Sequence, residues 1–472
     1  MTDPKLILAL CAGLALAGCD MAPRTLRPAL PVPPATPTGP AYAAANADGT
    51  AAIVPADTTW SDFFTDERLR SVIRTALANN RDLRVTAANV EQARAQYGVQ
   101  RAGIFPTLGG TASATYAKSP LATTAATPAG RTDTYSANVG VSAWEIDLFG
   151  RLRNLSRAAQ EQFFAAEENR NAAQTALIAE VATAWVTLAT DQERLKIAGD
   201  LQAAFGKTLD LTQARFAAGI VSELDVRQAR TTFDQARADV ADATTRVAQD
   251  RNALDLLAGA TVDEALLPTA LPAPGATLAN LPANLSSAVL LRRPDIAAAE
   301  HQLRAANANI GAARAAFFPN ISLTAAFGTM SLGLSNLFGS GSQSWSVAPT
   351  ASLPLFDFGK NKSNLRYAEA TRTAMIAQYE GKVQTAFREV ADALARRGTI
   401  DGQLAAQTSL RDNASAAYRL SEARFGAGID PFLTTLDSQR SLYSAEQSLV
   451  ASRLARESNA IELYRALGGG LR

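Results

Sequence analysis

Two hydrophobic periods alternate along this chain. Leu69, Val72, Ile73, Ala76 and Leu77 keep the 3.6-residue spacing of a helix, the run Asn79-Asn80-Arg81-Asp82 interrupts it, and a second helix is expected from Leu83 to about Gly103. After Phe105-Pro106 the period falls to two. Leu108, Ala112, Ala114 and Tyr116 alternate with Thr111, Ser113 and Thr115; beyond a loop at 124–131, Tyr135, Ala137, Val139, Val141 and Ala143 alternate with Ser136, Asn138, Gly140 and Ser142. Each stretch predicts a strand with one apolar face and one face of small polar residues. Asp147-Leu148-Phe149-Gly150 then leads into the longest element, a helix expected from Gly150 to Phe216. No proline occurs between Pro128 and Pro268, and Ala, Glu, Gln, Leu and Arg, all good helix formers, dominate the stretch. Its roughly 67 residues would span about 100 Å at 1.5 Å per residue, more than a compact domain needs. Ala217-Ala218-Gly219 ends it with the left-handed residue that closes a helix. A second helix returns from Ser222 to about Leu257, with Ser222 as N-cap and Asp225 as the acid three positions in.

The same order of elements then recurs. Asp82 matches Asp295 and Phe105-Pro106 matches Phe318-Pro319, both 213 positions on (295 − 82, 319 − 106). Phe149-Gly150-Arg151 matches Phe358-Gly359-Lys360, Ala214-Arg215-Phe216 matches Ala423-Arg424-Phe425, and Leu257-Ala258-Gly259 matches Ala466-Leu467-Gly468, all 209 positions on (359 − 150). Collinear matches over this range are the mark of an internal duplication, with the second β-hairpin four residues shorter. Each half reads helix, β-hairpin, long helix, glycine turn, helix. The halves are expected at 60–261, with a hairpin at about 106–148, and at 286–472, with a hairpin at about 319–357. Residues 262–285, holding Pro268, Pro272, Pro274 and Pro282, connect them. In the second hairpin Ile321, Leu323, Ala325 and Phe327 share one face, as do Trp345, Val347, Ala351, Leu353 and Leu355.

Apolar rows backed by Ser, Thr, Gly and Asn are the pattern of a membrane barrel with a wet interior. Four strands cannot close a barrel, and open strand edges are not tolerated in lipid, so other copies of the chain must complete it. A dimer gives eight strands, whose interior side chains fill; a trimer gives twelve and leaves a channel, which the small inward residues favour.

The N-terminus changes the picture by adding an address. Lys5 precedes an apolar core from Leu6 to Leu16 that is too short to span a bilayer, so 1–18 reads as a signal peptide. Leu16-Ala17-Gly18-Cys19 resembles the bacterial lipobox, which makes Cys19 the expected lipidation site. Residues 19–59 form a Pro-rich strap, with Pro31, Pro33, Pro34, Pro37 and Pro40 close together, and Trp60, Phe63 and Phe64 give it an apolar anchor.

Composition mostly excludes. The formal net charge of +1 leaves no basic field for nucleic acid. After cleavage one cysteine remains, so neither a disulfide nor a thiolate metal site is expected. His301 is the only histidine and reads as a packed or surface helix residue, not a metal ligand. Gly468-Gly469-Gly470 is a helix end, because no Lys-Ser/Thr follows it as a phosphate loop requires. No catalytic constellation appears, no cofactor is implied, and an enzyme is not expected.

The duplicated plan, the lipidated Pro-rich N-terminus, Leu290-Leu291-Arg292-Arg293-Pro294-Asp295, Ile310-Gly311-Ala312-Ala313-Arg314 and Phe318-Pro319 resemble the TolC-like outer-membrane factors, and within them the NodT-type efflux lipoproteins. The resemblance covers essentially the whole mature chain. It implies a mixed α/β membrane protein: a homotrimer whose twelve-stranded β-barrel in outer-membrane lipid continues as a long periplasmic α-helical barrel. It implies an exit duct that passively conducts small molecules such as drugs, delivered by a periplasmic adaptor (membrane fusion) protein and an inner-membrane pump. A duct for type I protein secretion is the alternative within the same architecture. A periplasmic coiled-coil scaffold would lack the alternating strands.

In that resemblance the two glycine turns are the free periplasmic tips, and Arg215, Phe216, Gly219, Ser222, Arg424, Phe425 and Gly428 are the adaptor-docking residues. Leu433, Asp437 and Arg440 recur at i, i+4 and i+7 on one helical face. By similarity Leu433 and Asp437 ring the closed periplasmic aperture and Arg440 is a nearby polar partner. The plainer alternative for Asp437 and Arg440 is an i,i+3 surface ion pair. The family's tyrosine and arginine lock near the second tip does not transfer, because those positions hold Phe425 and Asp430, and a role for Asp225 as its acidic partner goes with it.

Overall fold

The computed structural model describes residues 20–24, 27–42, 59–119, 130–271 and 287–469. The helices are α1 (Trp60–Phe63), α2 (Glu67–Asn79), α3 (Arg81–Ala102), α4 (Arg151–Ala217), α5 (Glu223–Ala258), α6 (Pro294–Ala315), α7 (Lys360–Gly426) and α8 (Phe432–Ala466). The strands are β1 (Leu108–Ser119), β2 (Gly130–Ile146), β3 (Asn320–Ser331) and β4 (Gln343–Ser352). Cys19 and most of the proline-rich connector lie outside the described residues, as does most of the 124–131 loop. The two long helices, α4 and α7, each run 67 residues without a break. The break expected at Asn79 to Asp82 is narrower: only Asn80 separates α2 from α3, its side chain accepting from Leu83 N at 2.9 Å.

The chain folds as two compact units that cut across the sequence halves. One holds Asn89–Ala166 and Ala298–Tyr379 with residues up to Pro28; the other holds Ala29–Ala88, Glu167–Ala297 and Glu380–Arg472. Each unit therefore takes material from both repeats.

In the first unit the four strands form one antiparallel sheet in the order β1-β2-β3-β4. Its central pairing joins the two repeats, with Val139 opposite Phe327 and Val141 opposite Ala325. Outer pairings extend these rows, so that Leu108, Val141, Ala325 and Val347 lie side by side. On the opposite face Ser113 Oγ and Ser136 Oγ are 2.9 Å apart. Gly140 and Gly328 are required here: an added Cβ would come within 2.2 Å of Ala325 O and 2.1 Å of Ala137 O.

Ala143 departs from the alternation the sequence predicts. A β-bulge falls between Val141 and Trp144, Ala143 takes a positive φ of 49°, and its N–H donates to Thr324 Oγ1 at 3.1 Å. The extra residue shifts the apolar row to even positions, pairing Trp144 with Leu323 and Ile146 with Ile321. Leu353 and Leu355 also leave the pattern, because β4 stops at Ser352. Phe149 stacks on Phe318 at 4.8 Å, and His301 Nδ1 lies 2.6 Å from Glu161 Oε2. His301 is thus a packed helix residue.

In the second unit Phe63 stacks on Tyr464 at 4.5 Å, with Phe64 edge-on to both rings. The segment Arg293-Pro294-Asp295 serves the C-terminal helix. Buried Arg293 donates from Nη1 to Ala466 O at 2.6 Å, pairs through Nη2 with Asp295 at 2.8 Å, and lies 2.9 Å from Glu389. Its charge is thereby compensated twice and the end of α8 gains a donor for a free carbonyl.

Candidate functional site: the paired helical turns

Each long helix ends in the same way. Gly219 and Gly428 adopt φ of 74° and 76°. At the first turn Gly219 N donates to Phe216 O and Ile220 N to Arg215 O; at the second Gly428 N donates to Phe425 O and Ile429 N to Arg424 O. This is a Schellman-type closure used twice, and each glycine has open space around a would-be Cβ. Ile220 and Ile429 stand out from the turns, 70% and 63% exposed.

The return helices start differently. Ser222 and Asp225 form a capping box on α5, with Ser222 N and Oγ donating to Asp225 Oδ2 at 2.9 and 2.7 Å. Asp225 is therefore occupied locally. On α8 Pro431 is the N-cap and contributes no side-chain hydrogen bond. Instead Arg424 donates to both oxygens of Asp430 at 2.6 and 2.8 Å across the turn. That hydrogen bond and charge hold the Asp430 carboxyl below its ordinary range.

The two turns of one chain also meet each other. Arg215 lays its guanidinium over the Phe425 ring, 4.7 Å from the centroid, and Phe425 packs against Phe432 at 5.5 Å. Phe205, Leu209, Ala229, Ala236 and Leu436 complete a small core with them. Thr435 Oγ1, buried here, donates to Ser421 O at 3.1 Å.

This corrects one expectation. Phe425 cannot present its ring to a docking partner, because it is 8% exposed inside that core, whereas its counterpart Phe216 is 45% exposed. The remaining expected tip residues are available: Phe216, Gly219, Ser222, Arg424 and Gly428 are exposed and Arg215 is half-buried. Sequence reading missed the Arg424–Asp430 pair and the packed stripe Phe432, Thr435, Leu436 and Gln439. The signal for the stripe was its i, i+3, i+4, i+7 spacing.

Leu433, Asp437 and Arg440 lie on the exposed side of α8, beside that stripe. All three are exposed, Leu433 by 60%. Among the described residues neither Asp437 nor Arg440 has a hydrogen bond or ion pair, so the i,i+3 surface pair does not form. An unpartnered leucine, carboxylate and guanidinium on one face is a surface that can meet other copies or a passing solute. Upstream, Asp20, next to Cys19, accepts from Asn154 Nδ2 at 3.1 Å and Arg157 Nη1 at 2.6 Å, which fastens the described N-terminus to α4.

The chain matches the family described as outer membrane efflux protein over residues 72–260 and 285–469, two blocks separated by the proline-rich connector. It belongs to that family. It is 46% identical over 465 residues to the solvent efflux pump outer membrane protein SrpC of Pseudomonas putida, covering 98% of each chain. Outer membrane protein OprJ of Pseudomonas aeruginosa is 40% identical over 464 residues, covering 98% of this chain and 95% of its own. The open state of the MtrE outer membrane channel of Neisseria gonorrhoeae is 38% identical, with a TM-score of 0.84 over 96% of this chain and 99% of that one. The TolC-like fold is thereby established, and the chain is an outer-membrane efflux channel protein.

Proposed function

We propose that three copies of the chain form the exit duct of a tripartite efflux system. Twelve strands close a barrel in outer-membrane lipid, and the paired helical hairpins project into the periplasm. There a periplasmic adaptor protein docks at the tips and links the duct to an inner-membrane pump. The duct passes small molecules, solvents and drugs among them, and the pump supplies the driving force. Lipidation at Cys19 adds a second attachment to the membrane. The observation that carries this reading is the sheet itself: β1 and β4 each have an unpaired edge, and the sheet cannot stand in lipid until those edges are paired. Apolar side chains on it, such as Phe327 at 64% and Trp345 at 76% exposure, have no cover within the chain.

The gate in this reading is the face carrying Leu433, Asp437 and Arg440, repeated around a threefold axis. Phe425 acts from beneath the tip surface by fixing Arg215, and Phe216 and Arg424 make the contacts. The test is the particle in detergent. Light scattering on the membrane-extracted protein is expected to give three chains per particle, and affinity capture should recover an adaptor and a pump. A folded, monodisperse monomer would overturn the proposal.

A further inference from the structure

The two long helices begin with the same three positive positions in unlike company. Arg151, Arg153 and Arg157 open α4, and the positions 209 further on hold Lys360, Lys362 and Arg366 (360 − 151, 366 − 157). In the first repeat each cation has its acid. Arg151 donates from Nε to Glu145 at 2.9 Å, Arg153 to Asp147 at 3.3 Å and Arg157 to Asp20 at 2.6 Å. In the second repeat Pro354 and Phe356 stand where Glu145 and Asp147 would be, and Asp20 precedes the duplicated region. Lys360, Lys362 and Arg366 are all exposed, and among the described residues their side chains have neither an ion pair nor a hydrogen bond.

The acids nearby do not balance them. Asp357, the one acid within 353–368, accepts from Gly359 N and Asn361 N, both at 2.9 Å. Glu369, a turn beyond Arg366, lies 3.9 Å from Arg314. Lys362 and Arg366 are four apart on α7, so like charges adjoin with no counter-charge between them. Directly before these cations, an apolar patch follows the end of β4 at Ser352. Leu355 and Phe358 are each 91% exposed, and the Phe356 and Phe358 rings meet at 4.6 Å. Phe358 takes a φ of 53°, whereas its counterpart Phe149 is half-buried against Phe318.

We propose that this patch docks anionic phospholipid of the periplasmic leaflet of the outer membrane. It rests on the sheet standing in lipid, as proposed above, and adds what lies at the rim of that sheet. Aromatic side chains at the end of a barrel strand sit at headgroup level, and cations just beyond them reach the phosphate diesters. Leu355, Phe356 and Phe358 take the acyl-chain boundary, and Lys360, Lys362 and Arg366 supply the charge. A neighbouring copy does not fit this chemistry. One that pairs with the free edge of β4 through its own β1 brings the end of α3, whose last turn carries Arg101. Glu91, the acid of that half of α3, is already 3.2 Å from Arg94. Such a neighbour adds positive charge and no free acid. The first repeat has no matching need, because Glu145, Asp147 and Asp20 neutralise its cations within the chain. The lipid contact therefore belongs to the second repeat.

Native mass spectrometry of the full chain in detergent, with phosphatidylglycerol and phosphatidylcholine added in equal amounts, tests this. The parent should retain phosphatidylglycerol about tenfold over phosphatidylcholine, as a few cations beside a membrane surface would give. Joint replacement by Lys360→Gln, Lys362→Gln and Arg366→Gln should abolish the preference, whereas Lys360→Arg with Lys362→Arg should keep it. Excess glycerol phosphate should not displace the lipid; displacement would make this a free-anion site and overturn the membrane reading. Equal retention of both lipids by the parent, or a preference that survives in the glutamine variant, would overturn it too. The same spectra count chains, so three per particle without the preference would sink the lipid surface and leave the duct standing. If the glutamine variant fails to fold, the parent's choice between the two lipids and the glycerol phosphate competition still decide the matter.

Discussion

Arg215 of the first turn rests its guanidinium on the ring of Phe425 from the second, 4.7 Å from the ring centre. One chain thus couples its two tips before any neighbour is added. Arg215→Ala should loosen the tips by about 0.5–1 kcal/mol, the worth of an exposed cation–π contact. Phe425→Ala should cost more, about 3 kcal/mol, because it also empties the small core around Phe432 and Leu436. Limited proteolysis at the turns would rank the two variants, and additive effects in the double variant would refute the coupling.

The gate makes a separate claim. Replacing Leu433 and Asp437 together by alanine should raise single-channel conductance in planar bilayers, since both side chains are exposed and outside the small core. Asp437→Asn alone should reduce cation preference more than it alters conductance. The first-repeat counterparts, Leu224 and Gln228, should have weaker effects. A double variant that inserts normally and conducts like the parent would remove these residues from the gate.

Arg293→Ala should be strongly destabilising, by about 3–5 kcal/mol, the usual cost of taking one partner from a buried charge network. Asp295 and the carbonyl of Ala466 would lose their cation, and Glu389 would keep only Arg465, 3.8 Å away. A thermal melt of the detergent-extracted protein measures the effect, and an unchanged midpoint would mean that Arg293 is not what holds α8.

Cys19→Ser should abolish incorporation of labelled fatty acid, and continued labelling would refute the lipobox. Asp20→Ala should leave labelling intact while freeing Arg157 and Asn154. Protease access to the strap then reports the lost contact.

The long helices and the strands were legible because their signals are local. Freedom from proline and the right composition define α4, and alternation defines β2 up to Val141. The capping box was legible for the same reason: Ser222 and Asp225 are three residues apart. What the sequence hid depends on distant partners. The bulge at Ala143 answers to Thr324 in the other repeat, 181 positions away. The burial of Phe425 but not of Phe216, at matching positions, depends on which side of the paired turns carries Phe432.

The sheet's middle pairing, Val139 against Phe327, joins strands born 188 residues apart (327 − 139). A chain carrying one repeat would own a single hairpin, and would have to find in a second molecule the strand that β2 finds in its own continuation. Any barrel it built would need twice as many molecules. Duplication within one polypeptide thus turned half of the meetings between strangers into folding. It also released the two repeats from having to be identical: Phe425 is buried at its turn while its counterpart Phe216 stands exposed.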